Sequence, residues 1–116
     1  MNKRILYLLL VVLLSSCNNN TPKGIANVFM TNINKGNFAE AKNYCTDATR
    51  ATIDMMIGMS AQTGQPVTYG KYEILREVIV QDHATVFYKA DGRAREETLD
   101  MIKIDEKWKV NIKMGK

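Results

Sequence analysis

The sequence contains few of the residues that build catalytic centres, metal sites and disulfide frameworks. Its 116 residues include one histidine, His83, and two cysteines, Cys17 and Cys45. One imidazole and two widely separated thiols lack the ligand spacing of a zinc site, which argues against a metal. Asp82 precedes His83, but neighbouring residues in a predicted turn rarely have the geometry that general acid–base catalysis requires. We therefore expect no catalytic residue, no metal and no cofactor.

The chain also lacks an apolar run long enough to span a membrane. The longest run, residues 5–14, falls short of the roughly 20 residues that a transmembrane helix needs. It follows a short cationic start, residues 1–4, and it precedes two serines and Cys17. This order of cationic start, apolar centre and small residues is typical of a signal peptide. Residues 1–16 are therefore predicted to be a signal peptide.

The end of this segment, Leu14-Ser15-Ser16-Cys17, resembles the lipobox of bacterial lipoproteins, in which an apolar residue and two small residues precede a cysteine. The resemblance implies cleavage before Cys17, a thioether between its sulfur and diacylglycerol, and acylation of the new amino terminus. Several acyl chains anchor a protein durably, at about 0.8 kcal/mol per buried methylene. The expected location is the bacterial cell envelope, at the outer membrane and facing the periplasm or the surface. The alternative is a secreted protein that has a cysteine at its cleavage site.

The predicted mature chain, residues 17–116, is long enough for one domain with a modest core. We predict a flexible tether at residues 17–21 and a folded domain at residues 22–116. Half of the net charge of +4 belongs to the signal peptide. The remainder forms no basic stripe with interleaved aromatic residues, which argues against nucleic acid as a partner. If Cys17 is acylated, Cys45 has no partner in the chain, and we expect it to be buried.

Three helices are predicted in the first half of the domain. The first begins at Thr21-Pro22, a hydroxyl cap followed by proline at the first helical position, and it ends at Gly36. Asn37 and Glu40 have the spacing of a capping box for a second, short helix. Thr46-Asp47 starts the third helix. Its predicted inner stripe comprises Ala48, Ala51, Thr52, Met55, Met56 and Met59; the alternative for the three methionines is an adaptable apolar surface.

After Pro66 the apolar pattern changes to an alternating one, which predicts four strands joined by short turns. The first strand has a charged exception, Arg76, on an apolar face that comprises Tyr72, Ile74, Val78 and Val80. The third strand has apolar residues of both parities, which indicates a bulge or burial on both faces; they are Leu99, Met101, Ile102 and Ile104. Short turns make neighbouring strands antiparallel, and helices that precede strands are typical of an α+β fold. We predict N-terminal helices packed on a four-stranded antiparallel meander.

Two segments resemble a known superfamily. The helix start at Thr21-Pro22 with Lys35-Gly36-Asn37-Phe38-Ala39-Glu40-Ala41, and the closing segment 101–110 with a charged turn before Trp108, are similar to small lipoprotein domains of unknown function in the nuclear-transport-factor-like, or cystatin-like, superfamily. That family often has glycine in the closing turn, where this chain has Glu106-Lys107. The resemblance implies a curved sheet around a long helix, which forms a cone with one open mouth. Such cones serve as ligand pockets, active sites or dimerisation surfaces, so the fold does not choose among them.

Four residues are candidates for lining such a pocket: Tyr44, Tyr72, Arg76 and Tyr88. Tyrosine combines an apolar ring with a polar tip, and Arg76 lies on a predicted apolar face, so together they could bind a small polar or aromatic ligand. The alternative is that the tyrosines belong to the core and that the arginine extends its charged head to solvent.

The sequence as a whole favours a membrane-anchored lipoprotein, held through Cys17, whose domain is a non-enzymatic binding or interaction module. The expected partners are the membrane, and a small ligand or an envelope protein. One alternative is a small enzyme, which would require a carboxylate or His83 inside the cone. Another is a structural subunit that forms a homodimer through an open sheet face, which would require a large exposed apolar patch.

Overall fold

The computed structural model describes residues 20–92 and 94–112, and it has helices followed by a single antiparallel sheet. The α+β prediction is therefore confirmed. The predicted signal peptide and Cys17 lie outside the described residues. The helices are α1 (Pro22–Asn34), α2 (Phe38–Ala41), which continues as a 3₁₀ turn (Lys42–Tyr44), and α3 (Asp47–Thr63). The strands, which pair in the order β1-β2-β3-β4, are β1 (Tyr72–Val80), β2 (His83–Ala90), β3 (Glu97–Ile104) and β4 (Lys107–Val110).

Helix α1 begins as predicted and supplies the centre of the core. The Thr21 hydroxyl accepts a hydrogen bond from the Gly24 amide (3.0 Å), and Pro22 occupies the first helical position. The helix buries Phe29 and Met30 almost completely against the inner face of the sheet. That inner face comprises Ala84, Val86, Tyr88, Leu99, Met101, Trp108 and Val110. None of the described helices is both long and apolar enough to cross a membrane.

Helix α2 lacks the predicted capping box. Asn37 precedes the helix, but its side chain makes no capping hydrogen bond. The Glu40 carboxylate instead accepts from the Tyr44 hydroxyl (3.3 Å) and the Asn43 amide (3.4 Å). This prediction was wrong because the helix is only four residues long and its acidic side chain turns forward along the chain.

Helix α3 buries a different stripe from the predicted one. Thr49, Thr52 and Ile53 are buried, whereas Met55, Met56 and Met59 are exposed. The Thr49 hydroxyl accepts from the Ile112 amide (2.8 Å) and lies 2.9 Å from the Thr46 hydroxyl, whose oxygen caps the helix. These polar contacts turn the Thr49 side of the helix inward, and Thr52 is the one residue of the predicted stripe that is buried.

Strand β1 contains the irregularity that we predicted for β3. Its pairing with β2 shifts between Ile74 and Arg76, so Leu75 is an extra residue in the strand. Tyr72 and Ile74 therefore face the helices, whereas Arg76, Val78 and Val80 face the opposite side with Phe87. A bulge inverts the parity of every later residue in its strand. This explains the charged exception in the predicted apolar face.

Strand β3 pairs regularly with both neighbours. Leu99 and Met101 lie on the inner face, and Ile102 and Ile104 lie on the outer one, where Ile104 is exposed. Of the two alternatives predicted for this strand, a bulge or burial on both faces, the bulge is therefore absent. The two parities instead reflect apolar residues on the outer surface of the sheet.

The β1–β2 and β3–β4 turns lie together at one end of the sheet. The Lys103 amide, beside the second turn, donates to the carbonyl oxygen of Asp82 in the first (2.8 Å). Asp105 and Glu106 connect β3 to β4, and both have positive φ values, 52° and 68°. Left-handed φ values at both central residues match the primed turn that suits a two-residue hairpin, but they cost free energy at a residue such as glutamate.

We predict that Thr49→Val destabilises the domain by about 1–3 kcal/mol, because it leaves the partly buried Ile112 amide without this acceptor. Thr52→Val is the matched control. Among the described residues the Thr52 hydroxyl bonds only to the Ala48 carbonyl in the preceding turn (3.2 Å), so its loss should change the free energy of unfolding by less than about 1 kcal/mol. Urea unfolding of both variants measures the difference, and equal effects would contradict the proposed role of Thr49.

We predict that Glu106→Gly stabilises the domain by about 0.5–2 kcal/mol. Glycine removes the strain of the left-handed backbone, which is about 1–3 kcal/mol for other residues. Part of this gain is lost because glycine also raises the conformational entropy of the unfolded chain. The control is Lys107→Gly, in a paired strand position, which should lower stability. Thermal unfolding compares the two; a lower melting temperature for Glu106→Gly would show that the turn is not strained.

Candidate functional site

The space between α1 and the sheet is filled by aromatic side chains. The Tyr69 ring makes edge-to-face contacts with Phe29 and with Tyr88, at centroid separations of 6.5 and 5.9 Å. Burial raises the pKa of Tyr69 well above its usual range, so its hydroxyl stays protonated. Within residues 20–92 and 94–112, the buried set includes no carboxylate and no histidine. The inside of the fold is therefore an apolar core in the part of the chain that the structure describes.

The four residues predicted to line a pocket do not converge on one cavity. Tyr88 belongs to the core, and the Tyr72 hydroxyl donates to the Asn27 side-chain oxygen (2.7 Å) near α1. Tyr44 lies beside the β3–β4 turn. Arg76 is on the outer face of the sheet, where it pairs with Glu96 (3.1 Å).

Arg76 covers an aromatic ring on that outer face. Its guanidinium carbon lies 4.1 Å from the centre of the Phe87 ring. The same guanidinium group donates two hydrogen bonds to the Glu96 carboxylate. Stacking and ion pairing together shield Phe87 from water. The predicted placement of Arg76 did not include the bulge at Leu75. Without that bulge, the alternation of the strand puts Arg76 on the same face as the tyrosines.

His83 and Cys45 also occupy positions that do not assemble a catalytic site. His83 is exposed at the start of β2, on the outer face. Cys45 is buried, as predicted, and its thiol points at the Lys42 carbonyl oxygen (3.6 Å). Burial raises the pKa of the Cys45 thiol, although nearby Arg50 and Lys109 partly oppose this effect. A protonated, buried thiol is a poor nucleophile.

An open cleft of about 390 Å³ lies between the start of the domain and the β3–β4 hairpin. Its polar lining includes Asn20, Tyr44, Lys107 and Lys109, and Trp108 and Ile25 form its apolar part. The Lys109 ammonium donates to the Asn43 carbonyl (3.1 Å), so one of the two cations is held by the protein itself. The cleft has room for a small polar molecule. Its two carboxylates, Asp105 and Glu106, are exposed at the turn and are not enclosed by the cleft.

A much smaller recess, about 80 Å³, lies under α3 and is apolar. Its lining comprises Phe29, Ile33, Ile53, Met56, Val67 and Tyr69, with Thr68 and Ile112. The recess is large enough for only a very small apolar group.

The most apolar exposed surface of the helices is on α3, and we call it the methionine face. It comprises Met55, Met56 and Met59, which are 54%, 37% and 57% exposed, with Ala48 and Ala51 beside them. Ala48, Ala51, Met55 and Met59 are spaced by three or four residues, so they form one stripe along the helix. Methionine side chains are flexible and polarisable, and they adapt to the shape of a partner.

These features define a small α+β domain with an open antiparallel sheet, a filled interior and an exposed methionine-rich helix. Residues 15–111 match the family described as Domain of unknown function (DUF4878), and the chain belongs to that family. No curated protein and no solved structure shows significant similarity to the chain.

Proposed function

We propose that this protein is a lipoprotein of the bacterial envelope, anchored through Cys17, whose domain binds a protein partner through the methionine face and catalyses no reaction. The observation that carries the binding function is the exposure of Met55 and Met59, each more than half accessible on a helix that buries Thr49, Thr52 and Ile53. Exposed apolar side chains in a contiguous stripe are typical of interaction surfaces.

The anchoring part of the proposal rests on the sequence. A cationic start, ten apolar residues and the segment Leu14-Ser15-Ser16-Cys17 occur in the order that lipoprotein processing requires. The DUF4878 match begins at residue 15 and so includes Cys17. A helix α1 that packs across an antiparallel sheet is also consistent with the resemblance to the cystatin-like superfamily.

The filled interior favours binding over catalysis. An enzyme that used the inside of the fold would need a buried acid or base, and the described residues place only threonines among the buried polar side chains. The cleft beside Asn20 remains a second possible site, since its lysines and its tyrosine could hold a small polar ligand. The methionine face is favoured over this cleft because it has more exposed apolar side chains, all on one helix.

The anchor is tested by Cys17→Ser in the producing cells. We expect the wild-type chain to be cleaved, to carry acyl chains by mass spectrometry and to sediment with membranes. The variant should lose both the lipid mass and the cleaved membrane-bound form. A processed Cys17→Ser chain in the membrane fraction would refute the lipid anchor.

The methionine face is tested by Met59→Glu and the matched control Ala61→Glu. Both positions are exposed on α3 and gain the same charge, but they lie about 200° apart around the helix. We expect native mass spectrometry of the protein purified gently from cells to show a complex that Met59→Glu reduces at least about tenfold and Ala61→Glu leaves intact. The added mass separates a second copy from a different protein. Equal effects of the two variants would contradict the proposed surface.

A further inference from the structure

The start of the domain is held at one end of the sheet by a single side chain. The Asn20 carboxamide oxygen accepts from the Trp108 amide (3.1 Å), and its nitrogen donates to the Glu106 carbonyl oxygen (2.7 Å). Asn20 and Thr21 belong to the segment predicted to be a flexible tether or to flank it, yet both are hydrogen-bonded to the domain. The chain therefore enters the domain at the β3–β4 turn.

Cys17 precedes Asn20 by only three residues. Each residue of an extended chain spans at most about 3.6 Å, so the Cys17 Cα lies within about 11 Å of the Asn20 Cα. The opposite end of the sheet lies about 26 Å away, the length of the nine-residue strand β1. A lipid on Cys17 therefore brings the end that contains Asn20 to the membrane surface.

That same end exposes aliphatic side chains. Ile79 and Val80 precede the β1–β2 turn and are 48% and 65% exposed, and Ile104 precedes the β3–β4 turn and is 43% exposed. The hydrogen bond from Lys103 to Asp82 shows that the two turns are adjacent. We call this end of the sheet, with the two turns, Val80 and Ile104 on the outer face and Ile79 on the inner face, the turn end.

The charges of the turn end indicate what kind of contact it makes. Lys103 and Lys107 are accompanied by the carboxylates of Asp82, Asp105 and Glu106. With both signs present, attraction to anionic lipids is weak, and burial of the aliphatic side chains at the headgroup boundary supplies the main attraction. The contact should therefore not depend strongly on salt.

We propose that the turn end lies against the lipid headgroups when Cys17 is acylated. The inference rests on the proposed lipid anchor and adds an orientation to it. Residues Ile57 and Ser60 of α3 line a groove with Ile33 and Asn34, at the end of α1 opposite Asn20. The part of α3 that carries Met55 and Met59 therefore lies away from the membrane, where a protein partner can reach it.

Lipid vesicles that contain brominated acyl chains test this orientation, because bromine quenches tryptophan fluorescence at short range. Trp108 is the only tryptophan of the chain, so Trp108→Phe gives a dark background. In that background, Ile104→Trp places a fluorophore at the turn end and Met59→Trp places one on the methionine face; both positions are exposed. The lipidated full chains are reconstituted, and circular dichroism confirms that each is folded.

We expect the fractional quenching of the Ile104→Trp protein to exceed that of the Met59→Trp protein by at least about twofold. The native Trp108, which is buried beside the turn end, gives a second reading in the unsubstituted chain and should be quenched more than the Met59→Trp protein. Equal quenching, or stronger quenching at position 59, would overturn the orientation.

Flotation and intact mass separate this inference from the proposed function. A chain that carries acyl chains and floats with the vesicles, but shows no preferential quenching at position 104, refutes only the orientation. A chain without acyl chains refutes the lipid anchor, and the orientation fails with it.

Discussion

The packing of α1 against the inner face of the sheet is the contact on which the rest of the structure depends. Phe29 and Met30 have almost no solvent exposure, and they belong to the same core cluster as Val86 and Met101. Burial of apolar side chains is the main favourable contribution to folding, and a small domain has only one such core. The helix must therefore begin at a defined point, and Thr21 and Asn20 set that point through their hydrogen bonds.

The bulge at Leu75 determines which side chains of β1 lie on each face of the sheet. Before it, Tyr72 and Ile74 contribute to the inside of the fold; after it, Val78 and Val80 lie outside. The outer face consequently carries aliphatic residues toward the turn end and the Arg76 ion pair toward its middle. One inserted residue thus decides which side chains can meet a membrane or a partner.

The proposals assign different tasks to opposite regions of one small domain. The chain enters beside the β3–β4 turn, so the proposed lipid anchor at Cys17 would lie near the turn end. The methionine face lies toward the other end of α1, away from the proposed anchor. A filled interior suits this arrangement, because both contacts are made by the surface and neither needs a cavity.

The sequence by itself determined the start of α1, the α+β class, the burial of Cys45 and the lipobox-like segment, because caps, period and residue type act locally. Only the tertiary structure decided that Thr49 turns inward and Met55 outward, since the Ile112 amide that binds Thr49 is distant in sequence. It also decided that Arg76 leaves the tyrosines, because a bulge depends on the pairing of two strands. Whether Arg76 and the tyrosines share a pocket depends on that strand pairing, so it could not be predicted from residue types alone.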